Sequence, residues 1–419
     1  MTSWKTYRLG DIIDKVIDNR GKSAPTSDEK YSPIIEINSI GDRNPNYDVV
    51  RKWVSKDTYD TWFRSGHPMI GDILIPTVGT IGIVSMMREN KGCIAQNIVA
   101  LRTNEKAHNL YLYYFLKSGY VKQELLNLNI GGVQPSIKVP HLLNLEISLP
   151  PLQEQRRIAG ILGAIDDNIE NNRHINTNLA LQAQALYKQW FVDFDFPNED
   201  GKPYKSSGGK MVDSELGPIP EGWRVGNIGG YCKIRSGYAF KSSWWTDRGV
   251  KIIKIKNITE NGALDMSECS YVDIKHCDKA SDFNGHAGDL IIAMTGATLG
   301  KVCIIPYHTT DYYINQRVGK FFLGDNPINK LPFIHCILRD ENVMSEIINK
   351  GQGSAQPNIS ASDVETIKIV MPSYYIMDKF NLLLQSNYTL RLKNIALINK
   401  LATLRDTLLP KLMNGEIKL

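Results

Sequence analysis

Gly131-Gly132-Val133-Gln134-Pro135-Ser136-Ile137 is written again 222 residues later as Gly353-Ser354-Ala355-Gln356-Pro357-Asn358-Ile359. The same offset carries Glu146-Ile147-Ser148-Leu149-Pro150 onto Lys368-Ile369-Val370-Met371-Pro372. Working back toward the N-terminus, Gly79-Thr80-Ile81-Gly82 resembles Gly296-Ala297-Thr298-Leu299-Gly300, and Gln96 falls against Gln316. Gly71-Asp72-Ile73-Leu74-Ile75 resembles Gly288-Asp289-Leu290-Ile291-Ile292, and Trp4-Lys5-Thr6-Tyr7-Arg8-Leu9-Gly10 resembles Trp223-Arg224-Val225-Gly226-Asn227-Ile228-Gly229. One Gly-Asp turn ahead of a strand is common in any α+β domain. An ordered series of landmarks, with offsets confined to 217–222 residues, is a duplication.

Within each copy the first part, about Trp4 to Pro150 and Trp223 to Pro372, reads as strands and turns. Short β-branched runs (34–37, 73–75, 252–255, 290–293, 320–323) alternate with Gly, Pro, Asn and Asp clusters, with short helices at 110–118 and 332–339. The second part changes period. Ile158, Leu162, Ile165, Ile169, Asn172, Asn176, Leu179, Ala183, Leu186 and Trp190 alternate steps of four and three, a heptad seam. Phe380, Leu383, Asn387, Leu390, Asn394, Leu397, Leu401, Leu404 and Leu408 continue the rule after Pro372. Each pattern predicts a helix of ~40 residues and ~60 Å. Asn172 and its counterpart Asn394 either fix the register of a helix pair or lie at its wet edge.

The 419 residues allow two or three domains, each able to bury a core. With 42% hydrophobic and 22% charged residues the chain is globular, excluding extended disorder and collagen-like structure. Lys+Arg 49 against Asp+Glu 44 gives a net charge of +5, which permits an anionic partner without demanding one. The six cysteines (Cys93, Cys232, Cys269, Cys277, Cys303, Cys336) show no CxxC pair and read as reduced, mostly buried thiols. Neither a secretory signal nor a membrane span is evident, so a cytoplasmic location is expected.

Catalytic motifs fail on inspection. Gly296-Ala297-Thr298-Leu299-Gly300-Lys301 falls one residue short of a phosphate-binding loop and is followed by Val302 rather than Ser or Thr. Asp72 with Glu89-Asn90-Lys91 sketches a metal-dependent nuclease, but the second copy keeps Asp289 and lacks the Glu-x-Lys. No amino-methyltransferase motif is present, and the eight histidines lack metal-ligand spacing. Binding without catalysis is the stronger reading, with a self-sufficient nuclease and a duplicated protein-interaction scaffold as alternatives.

Two unlike globular units, each followed by a long helix, look like the specificity subunit of a type I restriction-modification system. The pieces that carry the resemblance are the opening Trp4 to Asp11, the helix approach Leu149-Pro150-Pro151-Leu152-Gln153-Glu154-Gln155-Arg156-Arg157-Ile158, and Gln189-Trp190-Phe191-Val192-Asp193-Phe194. Gly217-Pro218-Ile219-Pro220-Glu221-Gly222-Trp223 and Ser236-Gly237-Tyr238-Ala239-Phe240 add to them. Met371-Pro372-Ser373-Tyr374-Tyr375-Ile376 departs from the pattern by lacking the Gln-Glu-Gln run.

The resemblance implies an α+β fold: a first target recognition domain (1–150), a long helix (151–192), a connector (193–222), a second recognition domain (223–372), a second long helix (373–413) and a tail (414–419). The two helices would pair as an antiparallel coiled coil with pseudo-twofold symmetry and act as a ruler between two unlike DNA half-sites. It further implies two modification subunits that use S-adenosylmethionine to methylate adenine at N6, and restriction subunits that use ATP and Mg2+. No cofactor or metal is expected on this chain. Gln155, Arg156, Trp190 and Phe191 are the expected partner contacts.

Direct readout needs side chains with paired donors and acceptors on loops, with basic groups holding phosphates nearby. The candidates are Asn19, Arg20, Lys22, Arg43 and Asn44 in the first unit, and Arg235, Tyr238, Lys241, Lys254, Lys256 and Asn257 in the second. Gln134 and Gln356 recur at matching places, where a glutamine bonding its own loop ahead of a proline turn is the competing and favoured reading. For Trp244 and Trp245, core or rim packing is favoured over contact with DNA.

Overall fold

The computed structural model describes residues 4–41, 43–131, 134–352, 357–417 and 419. The chain divides into two compact units, Met1–Asn168 with Leu401–Leu419, and Ile169–Lys400. Each long helix is divided between the units, with 152–168 and 401–413 in the first and 169–187 and 374–400 in the second.

The duplication recurs in the closing ladder and the four-stranded sheet, while the second sheet has three strands in the first unit and five in the second. In the first unit Lys5–Arg8 pairs antiparallel with Glu146–Leu149, closing the body where its chain enters and leaves. In the second, Arg224–Asn227 pairs with Lys368–Met371 in the same sense. A four-stranded sheet in the order Ile13–Asp18, Ile98–Thr103, Ile73–Pro76, Ser85–Met86 is repeated as Lys233–Ser236, Val318–Phe322, Leu290–Ala293, Val302–Ile304. A second sheet contains a parallel pair in each unit, Ser32–Ile35 with Cys93–Ile94 and Val250–Ile253 with Tyr312–Ile314. The unbroken apolar runs have a simple cause. Ile73 and Ile75 face one core cluster while Leu74 faces another, so the strand is covered on both sides. Leu290 and Ile292 against Ile291 and Ala293 divide the same way.

The repeated Gly-Asp landmark is structural. Buried Asp72 accepts from Met69 N at 2.8 Å and takes both arms of Arg102, at 2.9 Å and 2.8 Å. Asp289 accepts from His286 N at 2.8 Å and pairs with Lys320 at 2.8 Å. In each case one carboxylate closes the turn and neutralises a cation on the neighbouring strand, which makes burial of both tolerable.

The first long helix runs Leu152–Tyr187 and closes in a π-helical turn, Lys188–Val192; the second runs Tyr374–Met413. Within each unit the helices run antiparallel. In the first, Arg405 donates to Asp166 at 2.8 Å, Tyr114 Oη donates to the other oxygen at 2.7 Å, and Ile158, Ala159 and Leu162 share a core with Leu409, Leu412 and Met413. In the second, Asn394 Nδ2 donates to Asn176 Oδ1 at 3.0 Å and Asn387 Nδ2 to Leu179 O at 3.0 Å. Asn394 is buried, so it is a cross-helix register bond and not a wet edge.

Several expectations for the helices are corrected. Trp190 and Phe191 are not partner contacts: Phe191 lies 4.9 Å from Phe380 and 5.0 Å from Phe333, Trp190 lies 5.7 Å from Phe380, and both are buried in the core of the second unit. Gln155 is also buried. It accepts from His108 N at 2.8 Å and donates to Pro150 O at 2.9 Å and Lys106 O at 3.2 Å, pinning the helix start to its own body. Arg156 remains exposed. In the second helix Leu383, Leu390, Leu397 and Leu404 are 58%, 43%, 42% and 45% exposed rather than in the seam. The helix also packs on a globular body, and Ile376, Phe380, Leu384, Tyr388 and Leu392, at steps of four, are buried instead, leaving the seven-spaced leucines on the flank.

His335 is buried beneath that helix and hydrogen-bonded to Tyr388 Oη at 2.7 Å. Burial, reinforced by Arg391 and Arg339, holds its imidazole well below the usual 6.5. Cys336 also faces Tyr388, at 3.6 Å. Unfolded chain therefore takes up a proton near pH 6.5 that the folded chain refuses, so stability is present above that pH and is lost as pH falls below it. His67 and His108 in the first unit are lowered by burial and act with the same sign. The melting temperature should fall between pH 7.5 and 5.5, and His335→Gln should flatten that slope; an unchanged slope would place the acid sensitivity elsewhere.

Among the described residues no helix is long and apolar enough to cross a membrane. The cysteines are free thiols, five buried and Cys269 partly so.

Candidate nucleic-acid interface

Three segments meet in each unit where strand ends of the two sheets adjoin, an edge of strand ends held by the same backbone bonds. In the first, Ala95 N donates to Ile35 O at 3.0 Å, Thr77 N to Asn97 O at 2.8 Å, and Ile137 N to Thr77 O at 2.8 Å. In the second, Asn315 N donates to Ile253 O at 3.0 Å, Met294 N to Arg317 O at 3.0 Å, and Ile359 N to Met294 O at 2.9 Å. The glycine turns complete the edge: Gly79 N donates to Pro135 O at 2.8 Å and Gly296 N to Pro357 O at 2.9 Å. Both glycines sit at positive φ, 88° and 72°, which a side chain would strain. Pro135 and Pro357 thus fasten the chain to the repeated glycine turn, because proline, lacking an N–H, still offers its carbonyl.

Backbone amides satisfy the edge, so its side chains are free for other work. Gln96, Gln134 and Gln316 are exposed, and none makes a side-chain hydrogen bond with a described residue. The bonding of Gln134 to its own loop, favoured on sequence grounds, is not seen with any described residue of that loop. Gln356 lies outside the described residues. Gln96 lines a groove of about 310 Å³ with Asn19, Lys22, Lys52, Trp62 and Asn97. An adjoining hollow of about 430 Å³ gathers Arg20, Lys22, Trp62 and Arg64. Gln316 lines a hollow of about 660 Å³ with Ser236, Thr295, Arg317 and Asn358.

Gly237, in the lining of that last hollow, packs directly on the neighbouring strand's end, since a Cβ there would stand 2.3 Å from Ile314 O.

The remaining candidates divide. Asn19 spans its loop, donating to Gly66 O at 3.1 Å and accepting from Ser65 N at 3.1 Å, with Arg20 beside it paired to Asp18 at 2.6 Å. Lys22 is exposed. Arg235 is exposed, pairs with Asp282 at 2.9 Å and lies over the Phe283 ring at 5.1 Å. Tyr238 is half-buried between two core clusters, and Lys241 stands 5.4 Å from the Trp244 ring. Lys254 sits 3.6 Å over Trp245, its amine lowered by burial and by Lys256. Lys256 is exposed beside Glu268 at 3.9 Å. Trp244 stacks on His276 at 4.3 Å, as rim packing expects.

Two candidates are corrected. Arg43 is 8% exposed and bonds Asp167 on the first long helix at 2.6 Å, so it docks the helix; its neighbour Asn44 is half-buried. Asn257 is 2% exposed, accepts from Lys254 N at 2.9 Å and donates to Asp265 O at 2.8 Å, a loop brace with no reach outward. Sequence reasoning missed Arg64, Lys52 and Arg317, because each is remote in sequence from the loops chosen. The Gln96 and Gln316 landmark was itself the signal for their shared edge.

Asp72 has both oxygens engaged by Arg102 and is not free to hold a catalytic metal. Among the described residues no three His, Cys, Asp or Glu side chains gather around a metal-sized space. The arrangement offers amide donor-acceptor pairs flanked by guanidinium and ammonium groups, which is the chemistry of base edges and phosphates.

A family model described as the type I restriction modification DNA specificity domain matches residues 1–181 and again 220–402. The chain is 28% identical over 361 residues to the type I restriction enzyme MjaIX specificity subunit of Methanocaldococcus jannaschii, covering 83% of this chain and 78% of that protein. It is 25% identical over 350 residues to the HindI specificity subunit of Haemophilus influenzae, covering 68% and 72%. The fold is similar to that of the S subunit of a type I restriction-modification system from M. genitalium, with a TM-score of 0.60 at 18% identity over 98% of this chain and 96% of that one.

Proposed function

Since the chain belongs to the type I restriction-modification DNA specificity family, we propose that it is the DNA-reading subunit of such a complex, each globular body reading one half of a split, asymmetric site. The observation that carries this reading is the edge built twice, with unbonded glutamines among basic side chains and different neighbours in the two copies. Different neighbours imply that the two halves differ. Arg20, Lys22, Lys52 and Arg64 in the first unit, and Arg235, Lys241, Lys254, Lys256 and Arg317 in the second, supply phosphate contacts. Asn19 and Tyr238 shape the loops, and exposed Gln134 contacts the DNA, with Gln356 proposed for the matching contact in the second unit.

Chemistry belongs to partners in this reading. Two modification subunits bind S-adenosylmethionine and methylate adenine at N6, restriction subunits use ATP and Mg2+, and this chain holds no cofactor in the cytoplasm where the complex works. The length of the two long helices, 36 and 40 residues, would set the gap between the halves. With Gln155, Trp190 and Phe191 buried, we assign the modification-subunit contact to Arg156 and to the exposed Leu383, Leu390 and Leu397.

The test is single-molecule methylation sequencing of DNA treated with the chain assembled with its modification subunits. A bipartite adenine-methylated motif is expected, and Leu390→Glu with Leu397→Glu should cost retention of the modification subunits. Absence of any split motif would overturn the reading. A lack of steep affinity loss between ~50 and ~200 mM salt would instead favour a protein-interaction scaffold, because phosphate binding must release counterions.

A further inference from the structure

A groove of about 670 Å³ in the second unit holds an arginine that the fold leaves without a counter-charge. It opens between the glycine turn at 299–301, the helix Glu341–Lys350 and the long helix at Arg391 and Ile395. Arg391 lies 5.0 Å over the Tyr388 ring, yet its Nε and Nη1 are buried and bond no acceptor. Arg339, in the same lining, is exposed and has no side-chain hydrogen bond or ion pair with a described residue. The two guanidiniums act at one place. After burial itself, both hold the His335 imidazole below its ordinary value, and both oppose the rise that burial gives the Tyr388 phenol. The acids of the groove do not neutralise them: Glu260 pairs with Lys301 at 3.0 Å, and Glu341 forms an ion pair with neither arginine.

A buried guanidinium with unmatched donors costs free energy until an anion completes it. A protein carboxylate fits better here than a DNA phosphate, because Leu299, Met344, Ile348 and Ile395 give the groove an apolar lining that a sugar-phosphate strand cannot cover. An arginine laid on a tyrosine beside such a lining is the kind of anchor on which protein contacts concentrate their binding energy. The first copy lacks the pair of arginines: at the 222-residue offset Arg391 is matched by Ile169, and Arg339 by Lys117, which bonds Tyr113 Oη at 3.4 Å. The groove also adjoins the reading edge, since Gly296 bonds Pro357 O there and Leu299 and Gly300 of the same turn line the groove. We propose that the groove seats an acidic, apolar-flanked segment of one modification subunit, whose carboxylate pairs with Arg391 and Arg339, so that two like subunits are held unequally. The inference rests on the DNA-reading function proposed above, which needs those subunits beside the bodies that hold the DNA, and adds a site and its chemistry.

The experiment adds purified modification subunit stepwise to the full-length chain and follows the one-copy and two-copy complexes by native mass spectrometry, with DNA affinity and melting measured in parallel. Wild type should bind its first copy about tenfold or more tighter than its second. Arg391→Met with Arg339→Gln should remove that difference by weakening the tighter site, and leave the weaker site and the DNA affinity as they were. Melting should be unchanged or raised, because the substitution removes the unmatched donors. Equal sites in wild type, or unequal sites that persist in the variant, would overturn the proposal. So would a loss of DNA affinity with subunit binding intact, which marks a phosphate contact, or a lowered melting temperature, which marks a structural role. A wild-type chain that binds no modification subunit would instead defeat the underlying function, and the inference with it.

Discussion

Replacing Asp289 by alanine should destabilise the second unit by about 3–5 kcal/mol, because it leaves the Lys320 ammonium buried without its counter-charge. The pair is 2.8 Å apart with side chains only 8% and 5% exposed. Lys320 would keep one bond, to Asn284 O at 2.8 Å, and the turn would lose its acceptor for His286 N. Asp72→Ala in the first unit should cost less, since the Arg102 side chain is 27% exposed and water can take over part of the charge. Urea denaturation followed by hydrogen exchange would assign each loss to its unit. The double substitution Asp289→Asn with Lys320→Met should recover most of the loss, because it removes the charge as well as its partner. Equal stability of Asp289→Ala and wild type would show that the pair is hydrated. The first-unit variant also separates two functions: a stable, purified Asp72→Ala chain that loses a magnesium-dependent cleavage activity would revive the nuclease alternative.

Removing residues 401–419 should unfold the first unit, though these residues lie some 250 positions beyond its last strand in sequence. Leu409, Leu412 and Met413 are 8%, 1% and 7% exposed in its core, and each contributes about 1.5–3 kcal/mol on burial. Deletion would also remove the Arg405 counter-charge, 2.8 Å from the Asp166 carboxylate, which is 5% exposed and would keep its bond from Tyr114 Oη. Together these exceed half of the stability of an ordinary domain, about 5–15 kcal/mol. Limited proteolysis of the truncated chain should release a resistant fragment from 169–400 and digest 4–168. Survival of the first unit would mean that its strands and short helices form a sufficient core without the returning helix.

The duplication and the two long helices were legible because they depend on patterns repeated along the chain: paired landmarks, apolar runs and heptad steps. The same patterns misled where a residue's neighbours came from far away. Leu383 and Leu390 match the heptad rule yet point outward, because the helix answers to a globular body as well as to its partner helix. Trp190, Phe191 and Gln155 stand out in sequence as a surface motif would, yet they join a helix to its own core. Arg43 was chosen for its chemistry, which its structure spends on Asp167. At the interface, Gln134 stood out from its motif and Gln96 from its landmark, whereas Arg64 and Lys52 had no local signature.

The sequence by itself determined that there are two copies of one α+β unit, each followed by a long helix, since these follow from local propensity and repetition. Only tertiary structure decided which polar side chains are spent and which are free. Asp72, Asp289 and Gln155 are consumed by partners distant in sequence, while Gln96 and Gln316 are left unbonded by described residues at an exposed edge. Burial and hydrogen-bond partnership are set by residues tens to hundreds of positions away, and a periodic pattern along one chain carries no record of them.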